Sequence, residues 1–401
     1  MSLPPAPASG RATVLAADAA GLRRGGELLR AGKLVAFPTE TVFGLGANAL
    51  DEEAVLDIFR VKGRPLTDPL IVHVPDAAAA PALFAHDDAT RAVVDVLAAA
   101  FWPGPLTIVA RASPRLPLCV SAGTGFVGVR CPAHAVAVAL LREAAIPVAA
   151  PSANRFGHVS PTSAQHVLDD LGAHDIAVLD APGCDVGIES TVARIDVSQA
   201  QLLVLRRGGI SERALRAALA AAGLELEVVA RAAEHTPAAL ADGVAAHAPG
   251  QLLTHYAPDV PTFLALPQRG VDGGGAGGGG VGGGGVGGGG PNDASTAAEP
   301  AATAASAAPT LAATCVIDFG GAFAPLIGRC AAYRDLSPSG SVGEASRRLF
   351  ETLRWAESTA GARRVLIADV MALRVEDEHV GALYDRMFRA ASGRRVLMPD
   401  E

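Results

Sequence analysis

The residues best suited to meet a polyanion are Lys62 and Arg64, in "VKGRPLTDPLIVHV". Of 33 lysines and arginines only Lys33 and Lys62 are lysine, so a compact ammonium at position 62 stands out against an arginine background. Both cations leave the helical stretch "DEEAVLDIFRV", in which Asp51 is a good N-cap, Glu52 and Glu53 suit the first turn, and Gly63 and Pro65 stop the helix. Complementing the helix dipole accounts for Lys62. It accounts less well for Arg64, whose backbone direction is fixed between a glycine and a proline. A second cluster follows the strand-like "PVAAP": Ser152, Asn154 and Ser160 precede a helix that begins near Thr162. Hydroxyls, amides and free N–H groups at such a transition form an anion seat, although capping by Thr162 or Ser163 needs neither Ser152 nor Asn154. Arg130, Arg206, Arg207 and Ser190 with Thr191 lie at the ends of further apolar runs. Each alone reads as a solvated strand end; together they read as a binding crevice. In "FPTETVFGLGANAL", Pro38 ends a strand at Phe37, and Gly44 and Gly46 allow close backbone approach or positive φ. On this stretch alone a ligand seat and an ordinary turn both fit.

These groups need one sheet to gather them. Strand-like runs ("KLVAF", "LIVHV", "LTIVARA", "FVGVRC", "PVAAP", "IAVLD", "STVARID", "LLVLRRG") interleave with amphipathic helical patterns, which predicts an α/β domain over 11–222. A stretch at 271–310, first Gly-rich and then Ala/Pro/Ser/Thr-rich, has too little apolar surface to offset ordering entropy and is expected to be a disordered insertion. Around it, "PTFLAL", "TCVIDF", "RRVLIADV" and two helical patterns predict a smaller α/β domain over 261–401. The connecting segment 223–260 holds "GQLLTHYAPDVP", whose Leu252, Leu253 and Tyr256 suit packing rather than solvent. It is expected to act as a lid over the crevice, with Tyr256 reaching the ligand.

Composition narrows the function. The net charge of −8 and only two Trp, three Tyr and twelve Phe argue against tight nucleic-acid binding, and leave room for no more than a weak local contact. Five scattered cysteines, odd in number and without CxxC spacing, argue against a zinc site or a disulfide framework and suit a reducing cytoplasm. No apolar run approaches the ~20 residues of a membrane span. Walker, GxGxxG, GxSxG and HExxH patterns are absent at the positions where they would carry chemistry.

Taken in order, "FPTETVFGLGANA", "KGRPLTDPLIVHV", "FWPGPLTIV", "VGVRCP", "PSANRFGHVSPT", "ESTV", "LRRGGI" and "PGQLLTHYAP" resemble the threonylcarbamoyl-AMP synthase family in its longer, two-domain branch. The resemblance implies a YrdC-like twisted open sheet with a large cavity and a smaller C-terminal α/β domain. It implies the joining of L-threonine, bicarbonate and ATP, with Mg, to threonylcarbamoyl-adenylate and pyrophosphate. A separate tRNA threonylcarbamoyl transferase would use the product. By position, Thr41, His73, Arg130, Ala150 and Ser190 match residues that hold threonine. Lys62, Arg64, Asp68, Phe126, Ser152, Asn154, Ser160 and Arg206 match positions around ATP, with Lys62 and Arg64 the catalytic cations, and Tyr256 of the expected lid would reach the nucleotide. Three positions depart from the family's pattern: Phe43 for tyrosine, Asp68 for asparagine and Phe126 for threonine. The rival readings are an RNA-binding module of the same fold without catalysis, and the hydrogenase-maturation carbamoyltransferase, whose extra zinc-finger cysteines this chain lacks.

Overall fold

The computed structural model describes residues 10–85, 87–230, 245–246, 248–249, 253–267 and 310–398. Apart from Thr310, the insertion at 271–310 lies outside the described residues, as does much of the connecting segment, including Leu252. No described helix is long and apolar enough to cross a membrane.

In chain order the first domain contains β1 (Thr13–Ala16), β2 (Leu34–Phe37), β3 (Gly44–Asn48), β4 (Ile71–His73), β5 (Leu106–Arg111) and β6 (Phe126–Arg130). It continues with β7 (Val148–Ala149), β8 (Ile176–Asp180), β9 (Thr191–Asp196), β10 (Gln201–Arg206) and β11 (Glu227–Ala230). These pair into one mixed sheet of order β1-β8-β2-β3-β7-β4-β6-β5-β9-β10-β11. The sheet therefore runs past residue 222, because β11 adds to β10 in parallel. The inner strands β2 and β4 are buried along their whole length, as apolar runs covered on both faces must be. Helices α1 (Ala19–Arg30), α2 (Glu52–Lys62), α3 (Asp88–Phe101), α4 (Ala135–Ala144), α5 (Ala164–Leu171) and α6 (Glu212–Ala221) provide that cover. One core lies beneath α1 and α4, and a larger one holds the apolar stripes of α2, α3, α5 and α6.

The two glycines of β3 serve close approach. Gly44 and Gly46 keep negative φ, and a Cβ on Gly46 would lie 2.8 Å from Val148 and 2.9 Å from the Phe37 ring. Asp51 caps α2 through Glu53 and Ala54 N–H, and Gly63 closes it in the left-handed region at φ 64°.

The second domain is an all-parallel sheet of order β14-β13-β15-β12-β16, built from β12 (Thr262–Leu266), β13 (Thr314–Asp318), β14 (Ala332–Asp335), β15 (Arg364–Ala368) and β16 (Arg395–Leu397). Helices α7 (Val342–Ser358) and α8 (Val380–Ala390) pack on it. Its apolar core also takes in Val42 and Val159 of the first domain and Tyr256 of the connector, so the two domains share buried surface beside the strand ends described next.

Candidate active site

Strand ends build one wall. Because β2 stops at Phe37, Pro38 to Phe43 form a turn in which Thr39 Oγ1 donates to Val42 O at 2.6 Å and lies 2.8 Å from Thr41 Oγ1. Arg130, the last residue of β6, donates to Thr41 Oγ1 at 2.9 Å and pairs with Glu40 at 2.7 Å. Burial pushes the Glu40 carboxyl up, but the charge and hydrogen bond of Arg130 outweigh it and hold the group below its ordinary value. His73 ends β4 directly beside Arg130. Burial, and then the charge of Arg130, push His73 down to about 3, so its ring is neutral. Ser190, just before β9, shares a 2.8 Å hydrogen bond with Thr107 of β5 and accepts from Arg206 at 3.1 Å.

The cationic side comes from the exit of α2. Lys62 Nζ donates to Ser152 O at 2.6 Å and to Asn154 O. Burial and the nearby Arg64 push its pKa well below the ordinary lysine value, so an arriving polyphosphate would raise it again. Arg64 donates to Asp68 O and Pro69 O and pairs with the Asp68 carboxylate at 3.0 Å, all of it buried. Burial pushes Asp68 up, against the pull of Arg64 and Lys62.

Between these walls lies a cavity of about 510 Å³, open mouth included. Thr41, His73, Arg130, Ala150 and Ser190 all line it, as do Arg64, Ser152, Arg206 and Tyr256. Lys62, Asp68, Asn154 and Ser160 lie outside the lining: Lys62 and Asn154 brace the 152–160 loop, Asp68 is held by Arg64, and Ser160 donates to Glu189 at 2.6 Å. Phe126, expected beside ATP, is not part of this lining. It opens β6 at the end opposite Arg130, packs beside Val109 and Val192, and carries Arg111 and Arg194 within 5.7 and 5.3 Å of its ring, bordering a separate groove. Sequence reasoning did not assign Thr39, Glu189 and His255, which also line the cavity. The glutamate of "ESTV" was the one local signal for Glu189.

Tyr256 is fully buried at φ 61°, between His255 and Phe350 of the second domain, and its hydroxyl has no partner among the described residues. Burial, with Glu189 nearby, pushes its phenol up to about 12, so it stays a neutral donor.

Two family models match the chain: the Sua5/YciO/YrdC model, described as telomere recombination, over 27–208, and the threonylcarbamoyl-AMP synthase C-terminal domain over 210–392. A threonylcarbamoyl-AMP synthase of Pyrococcus abyssi is 43% identical over 231 residues, 57% of this chain and 63% of its own length. That of Bacillus subtilis is 38% identical over 239 residues, 58% of this chain and again 63% of its own. The matched stretch thus spans less than two thirds of these two relatives. A shorter Mycobacterium tuberculosis protein described under the same synthase name is 37% identical over 184 residues, 46% of this chain and 82% of its own length. The chain belongs to the threonylcarbamoyl-AMP synthase family. Its fold follows the crystal structure of P. abyssi Sua5 complexed with L-threonine (TM-score 0.73, 28% identity), covering 97% of this chain and 100% of that one.

As a member of the threonylcarbamoyl-AMP synthase family the chain carries its departures in different ways. Phe43 is absorbed into the core, and Asp68 is neutralised by Arg64. Among the described residues, each carboxylate at or just behind the cavity is likewise claimed by an arginine: Glu40 by Arg130, Asp68 by Arg64 and Glu189 by Arg386. That donor set does not form a protein cage for a divalent cation. It fits an ion carried on the phosphates of a substrate, the usual habit of Mg²⁺.

Proposed function

We propose that the protein is an L-threonylcarbamoyladenylate synthase, a nucleotidyltransferase that joins L-threonine, bicarbonate and ATP. Threonine's amine forms an N–C bond to CO2 derived from bicarbonate and loses a proton. A carbamate oxygen then attacks the α-phosphorus, and pyrophosphate leaves. Mg²⁺ would enter with ATP and neutralise phosphate charge. The product would pass to a separate transferase that modifies tRNA. The reading is carried by one observation: the five threonine-type positions and the cations Arg64 and Arg206 line a single cavity.

Arg130 suits the threonine carboxylate, because Thr41 and Glu40 fix its guanidinium without closing it from the cavity. Neutral His73, with Nδ1 free of protein partners among the described residues, offers a hydrogen bond without adding charge. Arg64 and Arg206, with Lys62 behind them, supply the charge neutralisation and positioning on which phosphoryl chemistry depends. His255 and Tyr256 cover the cavity and would keep water from a labile adenylate. The odd number and scattered spacing of the five cysteines suit a reducing cytoplasm as the place of the reaction.

The test is pyrophosphate release from ATP with threonine and bicarbonate omitted in turn. Release is expected only when all three are present. Equal release without threonine, or ADP as the product, overturns the assignment.

A further inference from the structure

Residues 152–160 carry Ser152, Asn154 and Ser160 but form no helix or extended strand, so side chains from elsewhere must fix their geometry. From inside, Lys62 holds Ser152 O and Asn154 O, and the Asn154 amide donates to Arg155 O and His158 O at 2.7 and 2.8 Å. From outside, the fastening comes from α7 of the second domain. Arg354 donates to Val159 O at 2.6 Å and reaches Asp170 of α5 at 3.1 Å. Buried His158 is clasped between Asp170 at 2.8 Å and Glu357 at 2.9 Å. Glu357 also accepts from Asp259 N–H at 2.6 Å, and Asp259 pairs with Arg155, which ties the connector into the same cluster.

His158, Asp259 and Glu357 offer ligand atoms within 4.8 Å of one another, yet this is no metal centre. Arg155 and Arg354 flank the group, and each of the three donors already has a protein partner.

We propose that Arg354 and Glu357 are positioning residues for the active site: through Val159 O and His158 they hold the 152–160 loop, and with it Lys62 and Ser160, in the geometry that receives ATP. This rests on the function proposed above and assigns the second domain a part in it. The groups facing His158 are Asp170 from α5, Glu357 and Arg354 from α7, and Arg155 and Asp259 beside them. Burial lowers the His158 pKa, but the two carboxylates more than offset it and leave it raised. The doubly bonded clasp is therefore complete at low pH and loses one bond as pH rises through that raised value.

The experiment compares wild type with Glu357→Gln and Arg354→Gln. The control is Glu378→Gln, which breaks a different inter-domain contact, to Ser211 and Arg213, and touches nothing in the loop. Gln at 357 keeps the shape and can still accept from Asp259. Amide hydrogen exchange across 153–160 in ligand-free protein should quicken about tenfold in the two variants and stay unchanged in the control. KM for ATP should rise by a similar factor, about tenfold, while KM for threonine holds. In Glu357→Gln the alkaline rise of the ATP KM should begin at lower pH. Unchanged loop exchange, or equal effects in Glu378→Gln, overturns the proposal. A wild type without threonine-dependent turnover would instead overturn the function, and the exchange result would still judge the loop.

Discussion

Two residues at the cavity wall make opposite demands on charge. Arg64 is held by two carbonyls and Asp68, so its guanidinium is fixed before any ligand arrives. Truncation to alanine should raise the barrier by about 2–4 kcal/mol, the cost of losing one preorganised charged contact to a phosphate. That loss is to be read in kcat/KM for ATP, with an unchanged kcat/KM as the contrary result. His73 should show itself in stability. Its folded pKa of about 3 lies far below the ordinary histidine value near 6.5. Between those two values the unfolded chain binds a proton that the fold refuses, so stability falls as pH drops through this window and levels off below it. His73→Gln should make that slope shallower in urea titrations at a series of pH values, with the like contribution of buried His255 remaining. Identical slopes in the two proteins would mean that the ring is not buried neutral.

At the scale of elements, the site depends on where α2 stops. Gly63 takes the left-handed conformation, with open space around the place a Cβ would occupy, and its N–H closes the helix onto Phe59 O and Arg60 O. Gly63→Ala therefore meets no clash and costs only the backbone term, about 1 kcal/mol in urea unfolding. A cost several times larger would point to a contact that the geometry does not contain. The gain from this arrangement is directional: the helix delivers Lys62 into the loop, and the turn after it delivers Arg64 to the cavity. The β2–β3 turn works in the same way, placing Glu40 and Thr41 on either side of the Arg130 guanidinium.

For the whole molecule, the docking of the second domain is the deciding contact. Arg386, fully buried on α8, pairs with Glu189 of the cavity wall at 2.9 Å, and Glu189 takes the Ser160 hydroxyl. Gly187 lies against α7 at φ 74°, and a Cβ there would stand 2.4 Å from Arg347 Cα and 2.7 Å from Ser346 O. These are backbone atoms of a packed helix and have no room to yield. Gly187→Ala should therefore loosen the domain interface, seen as faster proteolysis within 253–261 together with weakened ATP binding. Unchanged proteolysis would show that the interface tolerates the added methyl.

How much of this was legible follows from the range of each interaction. Helix α2 with its cap, the end of β2 at Pro38 and the polar strand ends at Arg130, Ser190 and Arg206 are fixed by periodicity, capping and backbone sterics within a few residues, and the sequence showed them. Four first-domain elements were missed, β11 because it lies in what reads as connector and the other three for local reasons. Helix α1 is broken in pattern by Gly21, Gly25 and Gly26, β3 reads as a glycine-spaced turn, and the short edge strand β1 is largely exposed. The placement of Phe126 outside the cavity needed the register of β6, because strand direction decides which end meets the site. The links from Glu189 to Arg386 and from His158 to Glu357 join residues nearly two hundred positions apart. Nothing in the neighbourhood of either partner encodes them. They exist because burying the apolar face that Val42, Val159 and Tyr256 share with the second domain brings those charges together, and only the tertiary structure decides that.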